Sequence, residues 1–466
     1  MMNLKKNYLH SVVIASLVGS AALLSSGAAL ANDSDELEKL RALVQELDQK
    51  IRVLDRKAEL SEEKAEADRK AAPVIKAGSS GFSVESADKK NSIKLRGLLQ
   101  ADSRNYFSDD NPDINNEYTL RRVRPRLQGT FFNIFDFDIN TDFAPAAAVV
   151  QDAFINARIQ PWFQVQAGKF KVPVSLERIQ SGGDLRFVER SYVSDSIAPN
   201  RDVGLQIHGN VLNEKLNYAV GVFDGQFDGQ SNGSNRDNVA NADGKEIAVR
   251  VFATPFKGED SVLEGLGFGL SATRANGSDQ AVGDSYRTPG QRNIFAYNGA
   301  TLTDGDKTRF SPQAYYYNGP FGLITEYIKS DTDVVRGANS DKISNDAWQI
   351  AASWVLTGEN NSFRGITPKR DFDLNAGTWG AWELAVRYHQ LNVDDKVFEG
   401  PAATRYASAT STTEKASSWG LGVNWYLNKN LKVQTTYEQT SFDSGVAGVQ
   451  DLEDEKVLFT RLQVAF

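Results

Sequence analysis

The chain has 466 residues, of which 41% are hydrophobic, 10% aromatic and 24% charged, with a formal net charge of -8 and no cysteine. That aromatic content excludes disorder throughout, the missing cysteines exclude disulfides, thiolate metal sites and a cysteine nucleophile, and the acidic balance argues against a general nucleic-acid binder. Beyond the N-terminal segment no stretch holds the roughly 18 uninterrupted apolar residues of a transmembrane helix, so any membrane crossing has to be made by strands.

Lys5 and Lys6 precede an apolar run from Val12 to Leu24, and Ala29-Leu30-Ala31 places small residues where a signal peptidase reads them. The run is short for a retained anchor. Residues 1–31 are therefore expected to be a secretion signal, and loss of Lys5 and Lys6 takes the formal charge from -8 to -10. From Asp35 to Lys70 the residues are nearly all helix formers, without Gly or Pro, and Leu37, Leu40, Val44, Leu47, Ile51, Leu54 and Ala58 recur at alternating steps of three and four. This heptad seam is too short to make a lone helix stable in water. It predicts a periplasmic coiled coil over residues 32–70, formed with copies of the same chain into a trimeric stalk; a single amphipathic helix lying on a barrel mouth is the alternative. Residues 71–91, with Pro73 and the run Gly78-Ser79-Ser80-Gly81, read as a linker.

From Ser92 to Phe466 the texture changes to short alternating segments separated by turns. Trp419, Leu421, Val423, Trp425 and Leu427 fall on one face of a strand and Gly420, Gly422, Asn424 and Tyr426 on the other. After the turn Asn428-Lys429-Asn430, Leu431, Val433, Thr435 and Tyr437 alternate with Lys432, Gln434, Thr436 and Glu438, which completes a hairpin. Trp382, Leu384, Val386 and Tyr388 repeat the scheme against Glu383, Ala385, Arg387 and His389. Alternation alone fits a soluble sandwich as well as a membrane barrel. Three features favour the barrel: small and charged residues on the polar faces with Trp and Tyr near strand ends; tight turns such as Asn318-Gly319-Pro320 and Asn213-Glu214-Lys215 alternating with long polar loops such as Asp228–Lys245, Gly277–Lys307 and Lys396–Ala416; and a chain that stops inside a strand, with Leu458, Leu462, Val464 and Phe466 on one face. The fold class is thus an all-β transmembrane antiparallel barrel over residues 92–466, of about sixteen strands.

Several blocks go beyond pattern. Tyr118-Thr119-Leu120-Arg121-Arg122-Val123-Arg124-Pro125-Arg126-Leu127, Gly168-Lys169-Phe170 ahead of Leu176-Glu177-Arg178, Trp379-Gly380-Ala381-Trp382-Glu383-Leu384 and Gly420-Leu421-Gly422-Val423-Asn424-Trp425-Tyr426 resemble, in this order, the phosphate-selective porin O/P family. The resemblance implies a sixteen-stranded homotrimeric porin of the Gram-negative outer membrane, its third extracellular loop folded into the lumen, and a C-terminal aromatic, Phe466, that the assembly machinery recognises. It also implies a constriction that holds phosphate. By motif, the adjacent arginine pair corresponds to Arg121 and Arg122, the constriction arginine in a Glu-Arg dipeptide to Arg190, the cation after Leu-Glu to Arg178, a serine to Ser181 and an aspartate to Asp152. The family's run of alternating arginines is depleted in Asp284 to Arg292, where only Arg287 and Arg292 remain, which puts phosphate specificity in doubt more than anion preference.

Parity adds a reading from the residues themselves. Arg122, Arg124 and Arg126 share one face of a strand, so a lumen orientation stacks three guanidinium groups at about 7 Å intervals, and the lipid side is excluded by a cost of about 2–4 kcal/mol for a charge near the midplane. Arg121 falls on the other face, so a bulge or its place at the strand end is required if it too faces the pore. The alternative is that these arginines pair with Asp136, Asp138 and Asp142 on the next strand and leave a weakly selective pore. Arg178, Arg186 and Arg190 share the segment between Phe170 and Val203, too long for a hairpin turn; folded inward it narrows the lumen, and folded outward it is a surface loop. His10, His208 and His389 are the only histidines, so no metal site, cofactor or Ser-His machinery is expected, and the chain does not read as an enzyme. The expected function is passive diffusion of small anions, phosphate among the candidates, across the outer-membrane lipid. A general or sugar-permeable porin and a coiled-coil envelope tether are the rivals.

Overall fold

A computed structural model describes residues 33–107, 115–144, 147–230, 244–408, 412–446 and 448–466. The expected secretion signal, residues 1–31, lies outside the described residues. The chain divides into two units between Ala72 and Pro73.

The first unit contains one continuous helix, Asp33–Ala71, of 39 residues. It is braced along its length by Lys50–Glu46, Arg52–Asp48 and Lys70–Glu66 pairs at i,i+4 spacing, and it stops two residues before Pro73, whose ring disfavours helical backbone in the residue ahead of it. Leu37, Leu40, Val44, Leu47, Ile51 and Leu54 are all exposed.

Among the described residues the second unit is a closed antiparallel barrel of sixteen strands. In order they are β3 Ser92–Tyr106, β4 Glu117–Phe131, β5 Phe135–Asp142, β6 Val149–Gln160, β7 Phe163–Lys171, β8 Arg201–Val211, β9 Leu216–Phe223, β10 Glu246–Ala253, β11 Leu266–Ala281, β14 Leu302–Asn318, β15 Phe321–Arg336, β16 Asn339–Val355, β17 Ala381–Asn392, β18 Lys415–Tyr426, β19 Leu431–Asp443 and β20 Glu455–Ala465. Each pairs with its sequence neighbour, and β20 closes on β3 from Val457 opposite Tyr106 to Ala465 opposite Leu98. Phe466 finishes the seam by exchanging two backbone hydrogen bonds with Gly97, each 3.0 Å. A small hairpin, β12 Ser285–Arg287 and β13 Asn293–Ala296, stands apart from the barrel sheet.

Residues 71–91 depart from the expected linker. Val74–Gly78 (β1) and Gly81–Glu85 (β2) form a hairpin, and β2 pairs with the start of β3, Phe82 opposite Leu95 and Glu85 opposite Ser92. The reason lies in the closure. β20 reaches only to Leu98, so the first residues of β3 present a bare strand edge, and β2 covers it.

Burial runs opposite to that of a soluble sandwich. On β18 the apolar Trp419, Leu421 and Val423 are exposed while Gly420, Gly422 and Asn424 are buried, and Arg309, Arg387 and Arg461 are among the largest fully buried side chains. Such a sheet has its apolar face in lipid and its polar face inside. Aromatic residues mark both edges of the apolar band: Trp354 and Trp348 on β16, Trp382 and Tyr388 on β17, and Trp425 and Trp419 on β18. Each pair is six residues apart, about 20 Å along a strand, and Trp382 stacks on Trp425 at 5.1 Å. Tight turns collect at one end, including 212–215, where Leu212, Asn213 and Glu214 all take positive φ. Three connections break the expected asymmetry: 254–265 and 356–380 are long segments at the tight-turn end, and Gly337-Ala338 is a two-residue turn at the long-loop end.

The segment 172–200, between β7 and β8, folds into the barrel. Val172, Val174, Leu185, Val188, Tyr192, Val193 and Ile197 are buried. Its one-turn helix Leu176–Ile179 is capped by Ser175, and the Leu176 and Glu177 N–H groups donate to the Glu326 carboxylate of β15 at 2.7 and 2.9 Å. Wall side chains also donate to the segment's carbonyls: Lys432 to Gly183 and Leu185, both 2.9 Å, Arg461 to Val188 at 2.7 Å, and Arg387 to Glu189 at 3.0 Å. Arg186 reaches the same side of the barrel, donating to Glu383 of β17 at 3.1 Å, Ser353 of β16 at 3.1 Å and Asn361 at 2.5 Å.

Two outcomes follow from this architecture. Leu421→Arg, on the lipid face between the two aromatic edges, is expected to cost about 2–4 kcal/mol in folding into a bilayer, measured by urea titration of the refolded protein. Arg186→Ala leaves Glu383 buried without its cation, at about 3 kcal/mol, and loosens the inward segment; single-channel recording is expected to show a larger and noisier conductance.

Candidate functional site: an arginine-lined constriction

Beside the inward segment lies a cavity of about 540 Å³, and its lining includes Arg104, Arg121, Arg122, Arg124, Arg178, Arg190, Arg201 and Arg287, with Asp142 and Asp195 the carboxylates among the lining residues. Strand parity brings Arg122 and Arg124 to it from β4. Arg121 arrives by a bulge: Gln100 pairs with Arg122 and Ala101 with Leu120, so Arg121 is the extra residue between them and turns inward with its neighbour.

Five of these arginines have carboxylate partners. Arg121 makes a two-point fork with Glu189, Nε at 2.6 Å and Nη2 at 3.0 Å. Arg104 pairs with Glu117 at 2.7 Å, Arg124 with Asp142 at 2.7 Å, Arg178 with Asp195 at 3.0 Å and Arg201 with Asp152 at 2.9 Å. Arg122, Arg190 and Arg287 have no carboxylate within 4.0 Å among the described residues. Arg122 donates to the Gln100 side-chain oxygen at 2.6 Å, and its Nε is buried with no hydrogen-bond partner in the structure. Arg190 donates to the carbonyls of Glu177 at 3.1 Å and Gln180 at 3.0 Å, and Lys171 donates to the same Gln180 carbonyl at 2.9 Å. Burying cations against neutral acceptors leaves net positive charge, which a mobile anion is suited to balance.

Of the residues singled out in the sequence, Arg121, Arg122, Arg124, Arg178 and Arg190 meet at this cavity. Arg126 is not among its lining residues; it pairs with Asp138 farther along β4, at 2.5 Å. Thus two of the carboxylate pairings weighed from the sequence, Arg124 with Asp142 and Arg126 with Asp138, are present, whereas Asp136 pairs with Arg158 at 2.7 Å. Asp152 is buried and holds Arg201 and the Asn140 amide, the latter at 2.7 Å, so it orients a site arginine from behind the lining. Ser181 is exposed, and its hydroxyl accepts from the Gly183 N–H at 3.2 Å. It too lies outside the lining, and its neighbour Gly182 is the one that packs on Arg122: a Cβ there would sit 3.2 Å from Arg122 Nε. Sequence reasoning missed Arg104 and Arg201. Arg104 was available from parity, since Gln100, Asp102 and Arg104 alternate inward on β3. Arg287 is carried to the cavity by the β12–β13 hairpin, whose turn hangs from Glu455 through Thr288 at 3.0 Å and the Gly290 N–H at 3.2 Å. Arg292 points elsewhere, over the Phe442 ring at 5.5 Å. No group of three or more His, Cys, Asp or Glu residues suited to a metal is present among the described residues. His208 and His389 contact Asn156 and Glu438 on separate walls.

Comparison with known proteins places this geometry. The family model described as phosphate-selective porin O and P matches residues 93–466. The chain is 25% identical over 426 residues to Porin O of Pseudomonas aeruginosa, which spans 85% of this chain and 93% of that protein. Among solved structures, the outer membrane channel DcaP of Acinetobacter baumannii superposes with a TM-score of 0.51 at 10% identity, covering 83% of this chain and 100% of that one. OmpT, an outer membrane protein of Vibrio cholerae in its trimer form, gives 0.50 at 12% identity, covering 81% and 99%. These two share the fold. Barrel, inward segment and family match converge: the chain belongs to the phosphate-selective porin O and P family and is a channel of the Gram-negative outer membrane.

Proposed function

We propose that this porin passes small anions by passive diffusion through the arginine-lined constriction, with oxyanions such as phosphate binding there in transit. The observation that carries the reading is the surplus of cations: eight arginines line the cavity with two carboxylates, and three of the eight have no carboxylate partner among the described residues. A narrow, low-dielectric passage with fixed positive charge concentrates anions and repels cations, and guanidinium forks match the paired oxygens of an oxyanion. Conduction also needs each site to let go. Carbonyl-bonded Arg190 and glutamine-bonded Arg122 supply donors already engaged with neutral partners, which an arriving ion can share without a large rearrangement. The outer hairpin brings one arginine, Arg287, where the family pattern implies a row, so the reading extends to anions in general before phosphate in particular.

The proposal includes assembly. Residues 1–31 are removed on export, Phe466 at the end of β20 is the residue the assembly machinery reads, and three copies associate, the exposed apolar seam of Asp33–Ala71 packing into a periplasmic stalk. The trimeric form of OmpT is in keeping with this arrangement of copies.

In planar bilayers under a KCl gradient, the reversal potential is expected to report chloride over potassium, and millimolar phosphate to lower the chloride current. Arg122→Ala removes a charged donor and is expected to weaken the phosphate block about tenfold and to reduce the chloride preference. A cation-selective channel contradicts the proposal. Chloride selectivity without phosphate block points to a general anion pore, and neither property, with sugar flux intact, points to a general porin.

A further inference from the structure

We infer that Glu189 is a tethered competitor for the permeating anion: its carboxylate fills the guanidinium fork of Arg121 that an oxyanion in the cavity would otherwise take, and so sets how tightly the constriction holds its solute. The inference rests on the anion-channel reading above and adds a residue that governs affinity.

Three guanidinium groups converge on this one carboxylate. Arg121 grips it at 2.6 and 3.0 Å, and Arg104 and Arg461 each bring an Nη2 to 3.6 Å from the same Oε1. The side-on, two-point grip is the geometry by which arginine holds phosphate. The arrangement is therefore an anion site already built, with the protein's own carboxylate as occupant. The other two cations have nearer partners, Arg461 in a two-point pair with Asp102 at 2.7 and 2.6 Å and Arg104 with Glu117 at 2.7 Å. Among the described residues Arg121 has Glu189 alone as carboxylate partner. It is also more open than Arg104, Arg124, Arg178 or Arg201, with 26% of its side chain exposed against 1% for Glu189, and it lines the cavity.

Glu189 is not needed to place the inward segment. Its own carbonyl is held by Arg387 at 3.0 Å and that of Val188 by Arg461 at 2.7 Å, and Glu189→Gln leaves both bonds in place. What the substitution removes is the charge that cancels Arg121. A constriction with a fourth unmatched arginine would hold each oxyanion longer and pass fewer per second. Glu189 keeps the site weak enough to conduct.

The test uses the full-length channel in bilayers, with inorganic phosphate as the blocker of chloride current. Glu189→Gln is expected to lower the half-blocking phosphate concentration about tenfold. Arg121→Gln, which leaves the Glu189 charge beside the passage without its two-point partner, is expected to raise it several-fold. The double variant is expected to return within about twofold of the unaltered channel, because charge and counter-charge leave together. If Arg121 were itself the phosphate ligand and Glu189 only a structural partner, the double variant would stay as weak as Arg121→Gln; that result, or an unchanged block in Glu189→Gln, overturns the inference. Should Glu189→Gln fail to assemble, Glu189→Asp carries the same test, its shortened reach giving a smaller tightening, and an unchanged block is again the contrary result. An unaltered channel that shows neither chloride preference nor phosphate block removes the anion-channel reading, and this inference with it. Selectivity and block in the unaltered channel, with no tightening in the variants, removes this inference alone.

Discussion

The carbonyl oxygens of the segment 172–200 lie inside a closed barrel, and the rest of the structure depends on what they bond to. Lys432, Arg387 and Arg461 donate to them from the wall, and Glu326 accepts from the first N–H groups of the helical turn Leu176–Ile179. A buried loop without such partners would cost free energy for every unpaired polar group. With them, the loop becomes a fixed inner shelf. The cavity, its width and its charge all follow from where that shelf sits.

The same requirement explains why the charge inside is uneven. On the wall of β17 to β20, Arg387, Lys432 and Arg461 hold the shelf; Glu438 pairs with Arg387, Glu383 with the shelf's Arg186, and Glu326 caps its helical turn. On the near wall the shelf turns through Gln180, Gly182 and Gly183, which offer backbone but no acidic side chain, so Arg122, Arg190 and Lys171 are left with neutral acceptors. The proposed anion selectivity thus rests on a local shortage of carboxylates in a chain that is acidic overall, and net charge carries no information on the sign of the pore.

Much of the barrel was legible. Alternation such as Trp382, Leu384, Val386 and Tyr388 against Glu383, Ala385, Arg387 and His389 has one meaning once the polar face is the buried one, and of the two ways parity left for Arg121 to face inward, a bulge or a place at the strand end, the structure has the bulge. What stayed hidden depends on distant partners. The strands at Val74–Gly78 and Gly81–Glu85 are short and flanked by Gly and Ser, and exist because β20 ends before β3 begins. Arg201 was obscured by its place at the end of a long loop, where periodicity carries no information. Asp152 and Ser181 were named by resemblance, which transfers residue types; the structure puts one behind the lining and the other outside it.

The central claim, that mobile anions complete the charge balance at the constriction, is most directly tested by anomalous X-ray scattering from crystals soaked in bromide and, separately, in rubidium. The account predicts bromide peaks within hydrogen-bonding reach of Arg122 and Arg190 and no rubidium between them. Rubidium in that cavity, or bromide confined to the outer surface, would contradict it.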